Sequence, residues 1–127
     1  MKNESQFNKW LTKQFYETFN KHITVQRIET STGNGVPDLL ILTQDKTWLI
    51  ESKFETTRLR PEQKAWQIKA NAIPTNAVVV TLSAYPKTKR LVVQRYSIYN
   101  HDKREFVLDN EGFKEFINYF QLVPKLA

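Results

Sequence analysis

Cysteine is absent from the 127-residue chain, so it can build no disulfide, thiolate zinc site, cysteine-ligated iron–sulfur cluster or cysteine nucleophile. A reducing cytoplasm suits such a chain, and a cytoplasmic location is expected. Glycine is scarce, with three residues, and none falls in a phosphate-binding Gly-rich loop, a Gly-x-Ser-x-Gly elbow or a dinucleotide fingerprint, which excludes P-loop nucleotide hydrolases. No apolar run approaches the ~20 residues that span a bilayer. The opening Met1-Lys2-Asn3-Glu4-Ser5 leads into an amphipathic segment instead of the apolar core of a signal peptide. A soluble, unexported protein with no membrane partner is expected.

What the chain does contain is an ordinary globular complement: three Trp, five Tyr and eight Phe with the aliphatics to accompany them. That is enough for one modest core and one domain over residues 1–127. The 19 Lys and Arg outnumber 13 Asp and Glu, for a net charge of +6. Such a field favours polyanionic partners, nucleic acid first, although a charge of this size also serves plain solubility.

Phe7, Trp10, Leu11, Phe15 and Phe19 recur at helical spacing and predict a helix over Ser5–Asn20 whose aromatic stripe is core. Ile23–Glu29 reads as a strand ended by the turn run Thr30-Ser31-Thr32-Gly33-Asn34-Gly35. Asp38–Thr43 and Thr47–Phe54 form a hairpin about Gln44-Asp45-Lys46, apolar on both faces and so part of a sheet covered on both sides. Pro61 suits a first helical turn, and the helix runs to about Ile73, ahead of Pro74. Strands follow at Ala77–Leu82 and Leu91–Tyr99, separated by a Lys/Pro-rich loop at Pro86–Arg90, and a helix at Glu111–Phe120 closes the order α-β-β-β-α-β-β-α. The fold class is α/β, with a central mixed sheet flanked by helices.

One stretch has charge where core is expected. Glu51 and Lys53 interrupt Trp48-Leu49-Ile50 near the end of an apolar strand, where ions are costly unless paired or bound to a metal. Strand alternation puts Glu51 and Lys53 on one face with Ser52 pointing away. A hairpin that pairs Thr43 with Lys46 and Leu40 with Leu49 also sets Asp38 opposite Glu51. Two carboxylates that close repel, and Mg²⁺, with Mn²⁺ as a substitute, relieves the repulsion through oxygen ligands. Such a cation acidifies a water for in-line attack on a phosphodiester and screens the developing charge, while Lys53 steadies it and the Ser52 carbonyl adds a neutral ligand. The competing reading is a half-buried salt bridge of Lys53 with either acid. Arg58, Arg60 and Lys64 beside this centre, and Lys87, Lys89 and Arg90 further on, are candidate phosphate contacts. His22 and His101 lack zinc-ligand spacing and read as incidental.

Pro37-Asp38 followed by Glu51-Ser52-Lys53 resembles the PD-(D/E)xK nuclease superfamily. The longer run of Gly35-Val36-Pro37-Asp38, Ile50-Glu51-Ser52-Lys53 and Leu59-Arg60-Pro61-Glu62-Gln63 is similar to the virus-type replication-repair nuclease (VRR-NUC) family, over roughly Glu4–Leu82. The resemblance implies a restriction-endonuclease-like core and a Mg²⁺-dependent endonuclease acting on DNA. It also implies a further acid on the first helix: Glu4, in a Glu-x-x-(apolar)-Gln setting that carries Asn8 where the family has Gln, or failing that Glu17. Gln63 is carried over as an active-site helix residue able to hydrogen-bond Lys53, and Trp66 one turn on reads as core. Small stand-alone members, many from bacteriophages, imply a homodimer that cuts Holliday junctions or flaps. The alternatives are a DNA-binding or scaffold module with weak catalysis, a single-strand exonuclease, and a restriction-type duplex cutter.

Overall fold

A computed structural model describes residues 1–28 and 35–122. Asn3 caps the first helix, α1 (Glu4–Thr18), by accepting a 2.9 Å hydrogen bond from the Gln6 amide. The helical stripe read from the sequence is real: Phe7, Leu11 and Phe15 are fully buried, and Trp10 and Phe19 pack partly buried beside them. The first strand, β1 (Thr24–Arg27), is shorter than its apolar pattern. Glu29 and the turn run, save Gly35, lie outside the described residues.

β2 (Leu39–Leu42) and β3 (Thr47–Phe54) form the hairpin in the expected register, Leu40 opposite Leu49. α2 (Pro61–Asn71) then crosses to β4 (Ala77–Tyr85), which pairs with β3 in parallel. A 3₁₀ turn over Pro86–Thr88 fills the expected loop, and the chain returns as β5 (Arg90–Tyr96). The strand expected over Leu91–Tyr99 stops at Tyr96, because a turn at Ser97–Asn100 starts another strand, β6 (His101–Val107). The sequence reading misses β6 because this edge strand, His-Asp-Lys-Arg-Glu-Phe-Val, is exposed at most positions and lacks an apolar face. The last helix is α3 (Asn110–Leu122).

The six strands lie in chain order, β1-β2-β3-β4-β5-β6, and only the β3–β4 pair is parallel. The α-β-β-β-α-β core is restriction-endonuclease-like. One face carries Trp48, Ile50, Leu82 and Val93 and is sealed by α1 and α3, with Trp48 set edge-on to both Phe15 and Phe116 at 5.6 Å. α2 covers β4 and β5 on the other face. Cover on both sides therefore holds for the centre of the sheet but not for β2, whose Leu42 is 45 % exposed. Trp66 is half-buried and stands outside the core cluster, contrary to expectation, since α2 meets the sheet through Gln63, Gln67 and Asn71 instead.

Candidate active site

The parallel β3–β4 pair ends together, with Lys53 opposite Ser83 and Phe54 opposite Ala84. β2 runs antiparallel to β3, so its start lies at that same end, and Asp38 sits one residue ahead of it. Being outside the strand frees Asp38 from strict face alternation. Its two carboxylate oxygens turn onto Ser52, accepting from the amide at 3.1 Å and from Oγ at 3.0 Å. Ser52 Oγ also lies 3.4 Å from Glu4 Oε1. As strand alternation requires, the Ser52 side chain points away from Glu51 and Lys53 to the α1 side of the sheet, where its hydroxyl ties together acids from α1 and the β2 start.

Glu4, Asp38 and Glu51 each bring one carboxylate oxygen to within 4.8 Å of the others. Glu4 is exposed in the first turn of α1, Asp38 is half-buried and Glu51 is 6 % exposed. Burial, first, and then the charge of Asp38 raise the Glu51 carboxyl from its ordinary 4.5 to about 7, with Glu4 adding to the rise and Lys53 and Arg60 opposing it. Asp38 is raised too, chiefly by burial, while the two Ser52 hydrogen bonds and Arg27 work in the other direction. Three converging carboxylates, two of them raised by burial, are the donor set that a hard divalent cation stabilises. The residues present fit such an ion.

Glu51 and Lys53 share the α2 face of β3. Lys53 Nζ donates to Gln63 Oε1 at 3.1 Å, and the same oxygen accepts from the Arg60 amide at 2.9 Å. Gln63 is 4 % exposed at the third position of α2 and reaches back to cap the helix, so the cap that starts α2 also fixes the lysine. Gly35 explains how the two motif segments meet. Its backbone has φ +86°, and a Cβ there would collide with the Glu62 carbonyl, so only glycine lets the segment before Asp38 pass beneath the start of α2.

The basic clusters divide by circumstance. Arg58 is exposed, Arg60 pairs with Glu62 at 3.3 Å, and Lys64 lies 5.1 Å from the centre of the Tyr96 ring. Lys87 and Lys89 are exposed on the turn after β4, at the same sheet end as the acids. Arg90 is held by Glu105 and stacks on Tyr85. Glu17 pairs with Lys13 away from the acid cluster, which leaves Glu4 as the helix acid at the centre. His101 stacks on Tyr96, and its pKa is lowered by burial and then by Lys103 and Lys64.

Sequence reasoning missed the Ser52 hydroxyl, which joins two acids, and Arg27, whose charge acts on Asp38. The face of Ser52 was readable, but the departure of Asp38 from its strand was not. Arg27 needed the β1–β2 register, which sets it opposite Leu39.

A mixed sheet whose strand ends gather two acids and a lysine, with a third acid from the preceding helix, defines a nuclease-type domain of the PD-(D/E)xK kind. Residues 1–82 match the VRR-NUC domain, and the chain belongs to that family. Membership implies DNA as the substrate. No curated protein matches the chain. Among the described residues no helix is long and apolar enough to cross a membrane.

Proposed function

We propose that this chain is a metal-dependent endonuclease that hydrolyses DNA phosphodiesters and selects branched substrates, junctions or flaps. One observation carries the reading: carboxylate oxygens of Glu4, Asp38 and Glu51 lie within 4.8 Å of one another, and two residues along β3 from Glu51 stands a lysine held by Gln63. Glu4, Asp38 and Glu51 are the ligands proposed for Mg²⁺ or Mn²⁺, with the Ser52 carbonyl as a neutral addition. When bound, the cation supplies Lewis acidity toward the phosphoryl group and toward water.

The protein's own residues do the rest. Ser52 holds Asp38 through amide and hydroxyl, so the carboxylate enters the site already oriented. Gln63 holds Lys53 Nζ on the face of Glu51, where the ammonium stabilises negative charge on a phosphate as it passes through the five-coordinate stage. Arg58, Lys87 and Lys89 receive flanking phosphates, with Arg60, Lys64 and Arg90 exchanging their internal partners for the backbone of the substrate.

The unit is proposed to be one domain over residues 1–127, because Leu91, Val93, Phe113 and Phe116 beyond the matched segment share one core with Phe7, Phe15 and Ile50. It is proposed to work in the cytoplasm as a homodimer, since cutting both strands of a junction needs two centres. The aromatic face of α3 is turned into its own core, which leaves the edge strands β1 and β6 as the surfaces for pairing.

The test is cleavage of end-labelled four-way, flapped and linear duplex DNA with and without Mg²⁺. Cutting should need the metal, favour the branched forms and fall by at least about a hundredfold in Lys53→Ala and Asp38→Ala. Metal-independent cutting, or full activity in both variants, would overturn the proposal.

A further inference from the structure

We propose that the groove between α1 and the edge strand β1 is a track for one unpaired DNA strand leading into the acidic centre. It rests on the nuclease reading for what happens at its inner end and on separate residues for the binding itself.

α1 lies over β3, where Phe15 meets Trp48, and so leaves β1, two strands further out, uncovered on the helix side. Val25 and Arg27 point to that side, because they pair with Ile41 and Leu39 of the buried core face. The result is a cleft of about 620 Å³, within the range of roughly 300–1,000 Å³ usual for ligand sites. Its inner end is formed by Ser5, which follows Glu4, and Leu39, which follows Asp38. The cleft therefore opens onto the acid cluster.

Three features of the lining indicate the occupant. The floor is apolar, with Val25 and Leu39, and Tyr16 stands beside it 38 % exposed. The rim carries Lys9, Lys13, Lys21 and Arg27 against Glu17, which Lys13 already pairs with at 3.9 Å. Asn8 lines the same cleft at 6 % exposure, and its Oδ1 has no hydrogen-bond partner among the described residues. A buried acceptor left in that state is unfavourable, and a base N–H donor would satisfy it. Cations beside an aromatic ring and an apolar floor are the elements of single-strand binding, in which phosphates meet the charges and exposed base faces meet the ring. A duplex turns its base faces inward and would gain nothing from such a floor.

Binding of a short fluorescein-labelled oligothymidylate, followed by anisotropy in EDTA, reads the groove without any cutting. Lys9→Glu and Lys21→Glu should each weaken binding about tenfold, and Tyr16→Ala by about fivefold or more. Lys103→Glu, on the far edge strand, should change it less than about twofold. Photo-crosslinks from thiothymidine in the same oligonucleotide should fall on α1 and β1. Equal losses in all three charge variants, no loss in any, or crosslinks confined to the β4–β5 turn would overturn the groove. Because no metal is present, wild-type binding that is lost in the groove variants stands even if metal-dependent cutting fails. The reverse result would spare the nuclease reading alone.

Discussion

Beneath α1 and α3 the sheet presents Trp48, Ile50, Leu82 and Val93, packed against Phe7, Phe15, Phe113 and Phe116. Beneath α2 the same strands present Glu51, Lys53, Thr81, Ser83 and Gln94, met by Gln63, Gln67 and Asn71. Both layers are largely buried, but the first is apolar and the second mostly polar, with Val79 and Val92 as buried apolar members among those side chains. On the α2 side Gln67 donates to Thr81 Oγ1 at 2.8 Å and Asn71 to the Val79 and Tyr96 carbonyls. Yet Gln67 Oε1, Asn71 Oδ1, Ser83 Oγ and Gln94 Oε1 have no partner among the described residues. Such a layer adds little stability and holds polar side chains at fixed places. The comparison assigns folding energy to one face and chemistry to the other, with the acid cluster at the sheet end where the two meet.

The sharpest way to break that division is to damage the aromatic face. Phe15→Ala removes a ring that contacts Phe19, Trp48 and Phe113 and should cost about 3–5 kcal/mol in urea denaturation. Cleavage per folded molecule at low temperature should stay near wild type. A variant of unchanged stability would remove the assignment.

The polar face predicts the opposite sign. Glu51 has a folded-state pKa of about 7 against an ordinary 4.5, so between those values the folded state binds more proton than the unfolded one. Stability of the metal-free protein therefore falls as pH rises through that window, by up to about 3 kcal/mol. Glu51→Gln should flatten this slope and make the metal-free protein more stable than wild type at about pH 8, while abolishing cleavage. Denaturation at about pH 5 and about pH 8 checks both statements. A wild-type protein that gains stability over this range would contradict the assigned burial. The smallest effect belongs to Gln67→Met. Its change in stability should stay within about 1 kcal/mol, since a buried amide with one unpaired oxygen gives way to an apolar side chain of similar size.

The aromatic face was largely legible in the sequence, because helical spacing of Phe7, Leu11 and Phe15 and the run at Ala77–Leu82 follow directly from burying apolar area. The hairpin register was legible too, since the two-residue connection Gln44-Asp45 fixes it once Thr43 meets Lys46. β6 was not, because an edge strand held by backbone pairing needs no apolar pattern. Nor was the polar layer, for Gln67 and Asn71 look like ordinary surface positions until Thr81 and the Tyr96 carbonyl are placed beneath them. Asp38, Glu51 and Lys53 were conspicuous as charge in an apolar run. Convergence with Glu4 depended on the α1 packing angle, which no local pattern encodes.

The most direct measurement is Mn²⁺ binding followed by electron paramagnetic resonance of the free ion, in wild type and in Asp38→Asn and Glu51→Gln. The account predicts saturable binding in the wild-type protein near neutral pH, competed by Mg²⁺ and lost in both variants while their folding is retained. Mn²⁺ held equally by all three proteins would place the cation elsewhere and contradict the acid cluster as its site.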